Sequence, residues 1–154
     1  MESDVTKELA DALTWRWHDG VLDLETIQYD KDARLVRFTI LEIEKEPEAG
    51  QRMWLLWQRR IYACRVSVRG VLTVRTTGLD KHPELYVERI VAAPDRLEVH
   101  GANGSMEIEG THMRIGWDRE VTEMVEKELS FLWFTVAWRA KAGRRMAADL
   151  SAHL

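Results

Sequence analysis

Apolar positions first recur at helical spacing, where Val5, Leu9, Ala12 and Leu13 follow Asp4, a residue suited to cap a helix. The spacing predicts a short helix ending before "WRWHDG", Trp15 to Gly20, where a glycine permits a sharp change of direction. The period then shortens to two. "VLDLETIQY" and "RLVRFTILEIE" flank the polar "DKDA" and predict a hairpin, with Val36, Phe38 and Ile40 on one face. Leu41 and Ile43 take the other face, so an irregularity is expected near them.

"RMWLLWQRRIY" is apolar in both periods and reads as helix or strand. In "ACRVSVRGVLTVR" the alternation is strict. Cys64, Val66, Val68, Gly70, Leu72 and Val74 fall on one face, and Gly70 is the expected bend of a long strand. "LYVERIVAA" follows, then "RLEVHG" and "SMEIEG" across the turn "ANG", then "THMRIGW" with Met113, Ile115 and Trp117 in phase. From Glu120 on, Val121, Val125, Leu129, Leu132, Val136, Ala140, Gly143, Ala147 and Leu150 step by three and four, which predicts a long amphipathic helix. A buried strand across "LSFLWFTVAW" is the competing reading. The expected fold is α+β and mainly antiparallel, a sandwich or a strongly curved sheet, with a short N-terminal and a long C-terminal helix in one domain spanning 1–154.

On the expected C-terminal helix a second stripe contains Phe131, Phe134 and Trp138, with charged residues at both ends. Soluble monomers seldom leave such an aromatic patch open, so these three residues are the expected interface of a homodimer.

Charge and chemistry narrow the function classes. A net charge of −4 argues against a dedicated nucleic-acid binder. Arg65, Arg69 and Arg75, with Arg52, Arg59, Arg60, Trp54 and Trp57 upstream, interleave cations and aromatics as single-strand binders do. Pairing with glutamates across the sheet is the alternative, and the acidic total favours it. Cys64 is the single cysteine, so no internal disulfide forms, and its strand face predicts a buried, inert thiol. An acidic start and the lack of a ~20-residue apolar run lead to the expectation of a cytoplasmic protein without a membrane span.

No motif organises a catalytic centre. His18-Asp19 stands beside Gly20 at a period change, where it serves a turn better than a metal. His82, His100, His112 and His153 show no ligand spacing, although His100 and His112 on neighbouring strands could be brought together. The pairs Asp23/Glu25, Glu42/Glu44 and Glu107/Glu109 share strand faces and read as the solvated side of a sheet. Asp30 and Asp32 in "YDKDAR" are a fragment of a calcium loop without its remaining ligands. Neither a cofactor nor a metal is expected.

"HDGVLDLETIQYDKDARLVRFTI" resembles the N-terminal hairpin of a group of small uncharacterised bacterial β-rich domains, in which a His-Asp-small-x-Leu corner leads into a strand. "CRVSVRGVLTV" is similar to their central strand, and "ERIVAAPDRLEVHGANGSMEIEGTHMRIGW" resembles their closing hairpins, so the likeness covers Trp17 to Trp117. Some relatives look like immunity proteins of bacterial toxin systems, which bind rather than catalyse. The resemblance supplies no catalytic residue and implies that His18-Asp19 belongs to the strand-entry corner. The chain departs from it after Pro47 and beyond Trp117. Taken together, the expectation is a non-catalytic protein acting through protein–protein contacts. A small-ligand binder with a Trp-lined pocket and an enzyme built from scattered His and carboxylates are the alternatives.

Overall fold

The computed structural model describes residues 2–44, 51–53, 56–78, 83–131 and 134–141. In chain order the elements are β1 (Glu2–Asp4), α1 (Lys7–Trp17), β2 (Val21–Asp30), β3 (Leu35–Ile43), β4 (Gln51–Met53), β5 (Leu56–Thr77), β6 (Glu84–Ala93), β7 (Arg96–Gly101), β8 (Gly104–Phe131) and β9 (Phe134–Lys141). Every pairing with a described register is antiparallel. The chain divides into two compact units, Met1–Glu42 with Cys64–Arg119, and Ile43–Ala63 with Glu120–Leu154.

In the first unit the sheet returns on itself. Strand order runs β8-β7-β6-β2-β3-β5, and β5 pairs again with β8, so six strands form a ring without a free edge between them. Between β5 and β8 the side chains repeat the pairing, with Arg75 bonded to Glu107 and the hydroxyls of Thr77 and Ser105 2.8 Å apart. Alternation then sends one face inward. Leu22, Val36, Phe38, Ile40, Cys64, Val66, Leu85, Val99, Met106, Ile108 and Ile115 are each at most 2% exposed and form one core. Ala10, Leu13 and Trp17 of α1 join it.

The helix is capped by Thr6, whose side chain accepts from the Leu9 amide at 3.2 Å, while Asp4 pairs in β1 with Arg114. It also runs three residues into "WRWHDG", because Trp17 is wanted in the core.

Two irregularities shape the ring. Along β2 and β3 the register passes from Asp23↔Thr39 to Gln28↔Arg37, so five steps of β2 match two of β3. Thr26 fills the gap by accepting from the Thr39 amide at 2.9 Å and donating to the Asp23 carbonyl at 2.6 Å. The irregularity expected near Leu41 thus lies on the opposite strand, and β3 keeps its alternation through Glu42.

The second is at Gly70, where φ is +81° and a Cβ would meet the Thr111 carbonyl oxygen at 2.4 Å. On the facing strand a Cβ at Gly110 would stand 2.0 Å from the Gly70 carbonyl oxygen. Only two glycines allow the backbones to pass this closely. The bend also shifts the phase of β5. Val71 is fully buried and Leu72 is 45% exposed, so Leu72 does not continue the face of Cys64 as the alternation implied.

In the second unit β4 pairs with β5 from Gln51↔Gln58 to Met53↔Leu56, and β8 with β9 from Met124↔Lys141 to Phe131↔Phe134. The Glu44 amide donates to the Arg60 carbonyl at 3.0 Å, and Thr122 Oγ1 to the Ile61 carbonyl at 2.9 Å. "RMWLLWQRRIY" is therefore strand where it is described, and residues 54 and 55 lie outside the description.

The long C-terminal helix expected from Glu120 is corrected. Residues 120–131 extend β8, 134–141 form β9, and residues from 142 on lie outside the described part. The fold is mostly antiparallel β with one short N-terminal helix among the described residues. A step of four lands on the same face of a strand as readily as of a helix, so Val121, Val125 and Leu129 satisfied both periods. The step of three from Leu129 to Leu132 coincided with the end of β8, and the β-branched and aromatic residues beyond it favoured strand.

Replacing Gly70 by Ala forces a side chain into a left-handed backbone and against a carbonyl. A loss of about 3 kcal/mol is expected from the denaturation midpoint. Leu72→Ala, at an exposed site, should change it by less than ~1 kcal/mol.

Candidate functional site

His18 and Asp19 form the corner between α1 and β2. The His18 amide closes the helix on Thr14 at 2.9 Å, and the Asp19 amide donates to the Val87 carbonyl at 3.0 Å with φ +67°. Gly20 donates to Trp17 at 2.9 Å and accepts from Val87 at 2.9 Å. The His18 ring reaches the Asp19 carboxylate at 3.1 Å, with both side chains more than half exposed. The backbone of this dipeptide joins helix, turn and β6, as the corner reading required.

The buried chemistry lies one layer inward, at a residue placed on the solvated face by its sequence pattern. Glu42 is 3% exposed and Glu44 9%, so that pair is corrected. Glu42 Oε1 accepts from the Trp17 indole at 2.6 Å and from Arg16 Nε at 2.8 Å, while Oε2 accepts from Arg119 at 3.4 Å. Arg16 lies over the ring of Trp117 at 5.6 Å, and Trp117 meets Trp17 edge-on at 6.0 Å. One carboxylate thus collects three donors from α1 and β8, the arrangement that makes a buried charge tolerable. Its phase was legible, since Glu42 continues Val36, Phe38 and Ile40 at period two.

Cys64 is fully buried beside this cluster. Its thiol is pushed up to about 12 from an ordinary 9.0, first by burial and then by the Glu42 carboxylate. A thiol so protected from ionisation is no nucleophile at neutral pH. In the second unit Glu44 pairs with Arg60 at 3.2 Å, both side chains 7% exposed, and accepts from the Arg60 amide at 3.2 Å.

A trough of about 690 Å³ lies on the outer face of the first unit, over β2, β3, β5 and β8. The bulge of β2 brings Glu25 and Thr26 to it. The outward alternates Arg37 of β3 and Arg65, Ser67 and Arg69 of β5 line it, and Glu2 and Asp118 complete its charges. Three cations therefore face three carboxylates. Arg69 is bonded to Glu2 at 2.6 Å, whereas Arg37, on an exposed position, has no ion pair among the described residues.

The other candidates disperse. Arg75 bonds Glu107, which holds that carboxyl below its usual range, and Arg96 reaches Glu109 at 3.3 Å. Arg59 donates to the Glu44 carbonyl at 3.4 Å. The arginine row is thus engaged with acids and carbonyls of the same chain at each of these positions, as cross-strand pairing implied.

His100 stands opposite Ser105 in the β7–β8 register, seven residues from His112, so the strands do not unite the two histidines. Asp30 Oδ1 accepts from the Ala33 amide at 3.1 Å and fixes the β2–β3 turn. His82 and His153 lie outside the described residues. Among the described residues no three His, Cys, Asp or Glu side chains are grouped to hold a metal ion, and no helix is long and apolar enough to cross a membrane. Of the tryptophans with described side chains, Trp117 borders the trough.

The expected interface trio now falls on strands. Phe131 and Phe134 pair directly at the end of the β8–β9 ribbon, their side chains lying outside the description, and Trp138 is 41% exposed opposite Lys127. Comparison with known families, curated proteins and solved structures gave no match. The likeness over Trp17 to Trp117 rests on its motifs alone.

Glu42→Gln leaves two guanidiniums facing a neutral amide. An unfolding free energy lower by about 3–5 kcal/mol is expected in denaturant titration, against about 2 kcal/mol for Trp17→Phe. Cys64 adds a pH signature. Between 9.0 and about 12 the unfolded chain holds fewer protons than the folded one, so stability falls as pH rises. The expected slope is about 1.4 kcal/mol per unit, and Cys64→Ala should flatten it.

Proposed function

We propose that this protein is a binding module and not an enzyme, and that the outer trough receives a polypeptide segment of another protein. The observation that carries the reading is the balanced, incompletely paired charge of the trough. Arg37 has no ion-pair partner among the described residues, and the carboxylates of Glu25 and Asp118 share the same walls. A polyanion such as nucleic acid would meet those carboxylates directly, at a repulsive cost. A peptide with side chains of both signs meets complementary groups. The six-stranded ring supports the reading too, because its interior is filled by core side chains and leaves recognition to the outer surface. The buried Cys64 thiol and the fully engaged Glu42 carboxylate supply neither nucleophile nor base.

Selection of a displayed random dodecapeptide library against the purified protein tests this. Enriched peptides should carry at least one carboxylate, and Arg37→Glu should weaken their binding tenfold or more with an unchanged circular dichroism spectrum. Glu25→Lys should shift the selected sequences toward more acidic ones. A library that yields no enriched peptide, or peptides that bind Arg37→Glu as well as the parent, would refute the assignment.

A further inference from the structure

We propose that β9 pairs antiparallel with β9 of a second copy, so that two β8–β9 ribbons join into one continuous sheet across a two-fold axis at Ala137. This rests on the second unit alone and is independent of the trough.

The strand is regular. Among the described residues β9 pairs with β8 and no other strand, through eight consecutive pairs without a register shift. It holds no proline or bulge, two devices by which exposed edges are commonly blocked, and its charged residues, Arg139 and Lys141, stand at its C-terminal end. Thr135, Val136, Ala137 and Trp138 are all exposed.

The two faces of the ribbon differ in the way a self-pairing strand requires. On one face Val125 opposes Ala140, Lys127 opposes Trp138, and Leu129 opposes Val136. That face is closed at Val125, 0% exposed, and opens to 41% at Trp138 and 48% at Val136. On the other face Glu126 opposes Arg139 and Glu128 opposes Ala137. A two-fold antiparallel pair sets even positions against even and odd against odd, so the apolar face of one ribbon continues into that of the next.

Charge and side-chain size select the centre. With Ala137 on the axis, residues 134–140 all find partners within β9. Val136 lies opposite the partner's Trp138, and the partner's Val136 opposite Trp138. The row across the joined sheet then reads Lys127, Trp138, the partner's Val136 and the partner's Leu129, with the cation at the outside. Arg139 meets the partner's Thr135, so no like charges oppose each other. An axis at Arg139 would set two guanidiniums face to face, and one at Trp138 would set the two bulkiest side chains of the edge against each other in place of the two Val136–Trp138 pairs.

Light scattering at tens of micromolar should give a dimer, and Trp138→Lys should give a monomer with an unchanged circular dichroism spectrum. Register is read separately by cysteine cross-linking, for which buried Cys64 is inert. Ala137→Cys should form a covalent dimer on mild oxidation, because directly opposite residues lie about 5 Å apart, within disulfide reach. Thr135→Cys, about 14 Å from its own copy in this register, should not. A monomer at these concentrations overturns the proposal and gives the edge to another occupant. A dimer in which Ala137→Cys fails to link, or links no better than Thr135→Cys, overturns it equally, and that readout stands even where Trp138→Lys fails to fold.

Discussion

A carboxylate held away from water must be surrounded by donors, and the first unit is organised so that Glu42 is. Its donors come from elements far apart in sequence: the indole of Trp17 and the guanidinium of Arg16 at the end of α1, and Arg119 on β8. Together they fix α1 and this part of β8 against β3. Trp17 can give its N–H to Glu42 only if α1 runs to the corner at His18, which requires the turn through Asp19 and Gly20 and their bonds to Val87. Trp117 supports the same point through its contacts with Trp17 and Arg16. A buried charge is weak evidence of net stability, because an apolar residue could often replace it. What it imposes is a specific placement, since misplacing any of these elements leaves a charge unanswered.

Much of the sheet was legible because alternation is a short-range signal. The β2–β3 and β7–β8 hairpins, the inward faces of Val36 to Ile40 and of Met113 to Ile115, and the burial of Cys64 follow from period two and the turn residues beside them. The failures were those of phase and of degenerate spacing. Gly70 was recognised as a bend, yet the bend breaks the alternation next to it, so Val71 turned inward and Leu72 moved outward. At the C-terminal end, steps of four fit helix and strand alike, and only the preference of Val, Phe, Trp and Thr for extended backbone distinguished them.

Of the candidate site, the sequence offered the pieces without their assembly. That His18-Asp19 serves the corner followed from local context. Glu42 was hidden by the general expectation that strand acids face water, which held for Glu107 and Glu109 but failed where three donors converge. The trough was beyond reach for a different reason. It exists because β2 bulges between Asp23 and Gln28 while β3 stays regular, and nothing in "LETI" announces extra length to a reader who does not know its partner. Charge, once placed, was more informative than motif, because the pairing of Arg69 with Glu2 sets Arg37 apart.

The turn between β7 and β8 has a consequence for the age of the molecule. Asn103 Nδ2 donates to the Glu84 carbonyl at 2.7 Å while its Oδ1 accepts from the Tyr86 amide at 3.2 Å, so one side chain ties the turn to the start of β6 by both of its atoms. The residue after it is Gly104, and an asparagine followed by glycine is the sequence in which the side-chain amide is most readily lost by attack of the next backbone nitrogen. A carboxylate keeps the acceptor and forfeits the donor, setting oxygen against oxygen at Glu84. The hairpin therefore carries a slow chemical clock, and the tether to β6 lasts only as long as one amide nitrogen stays in place.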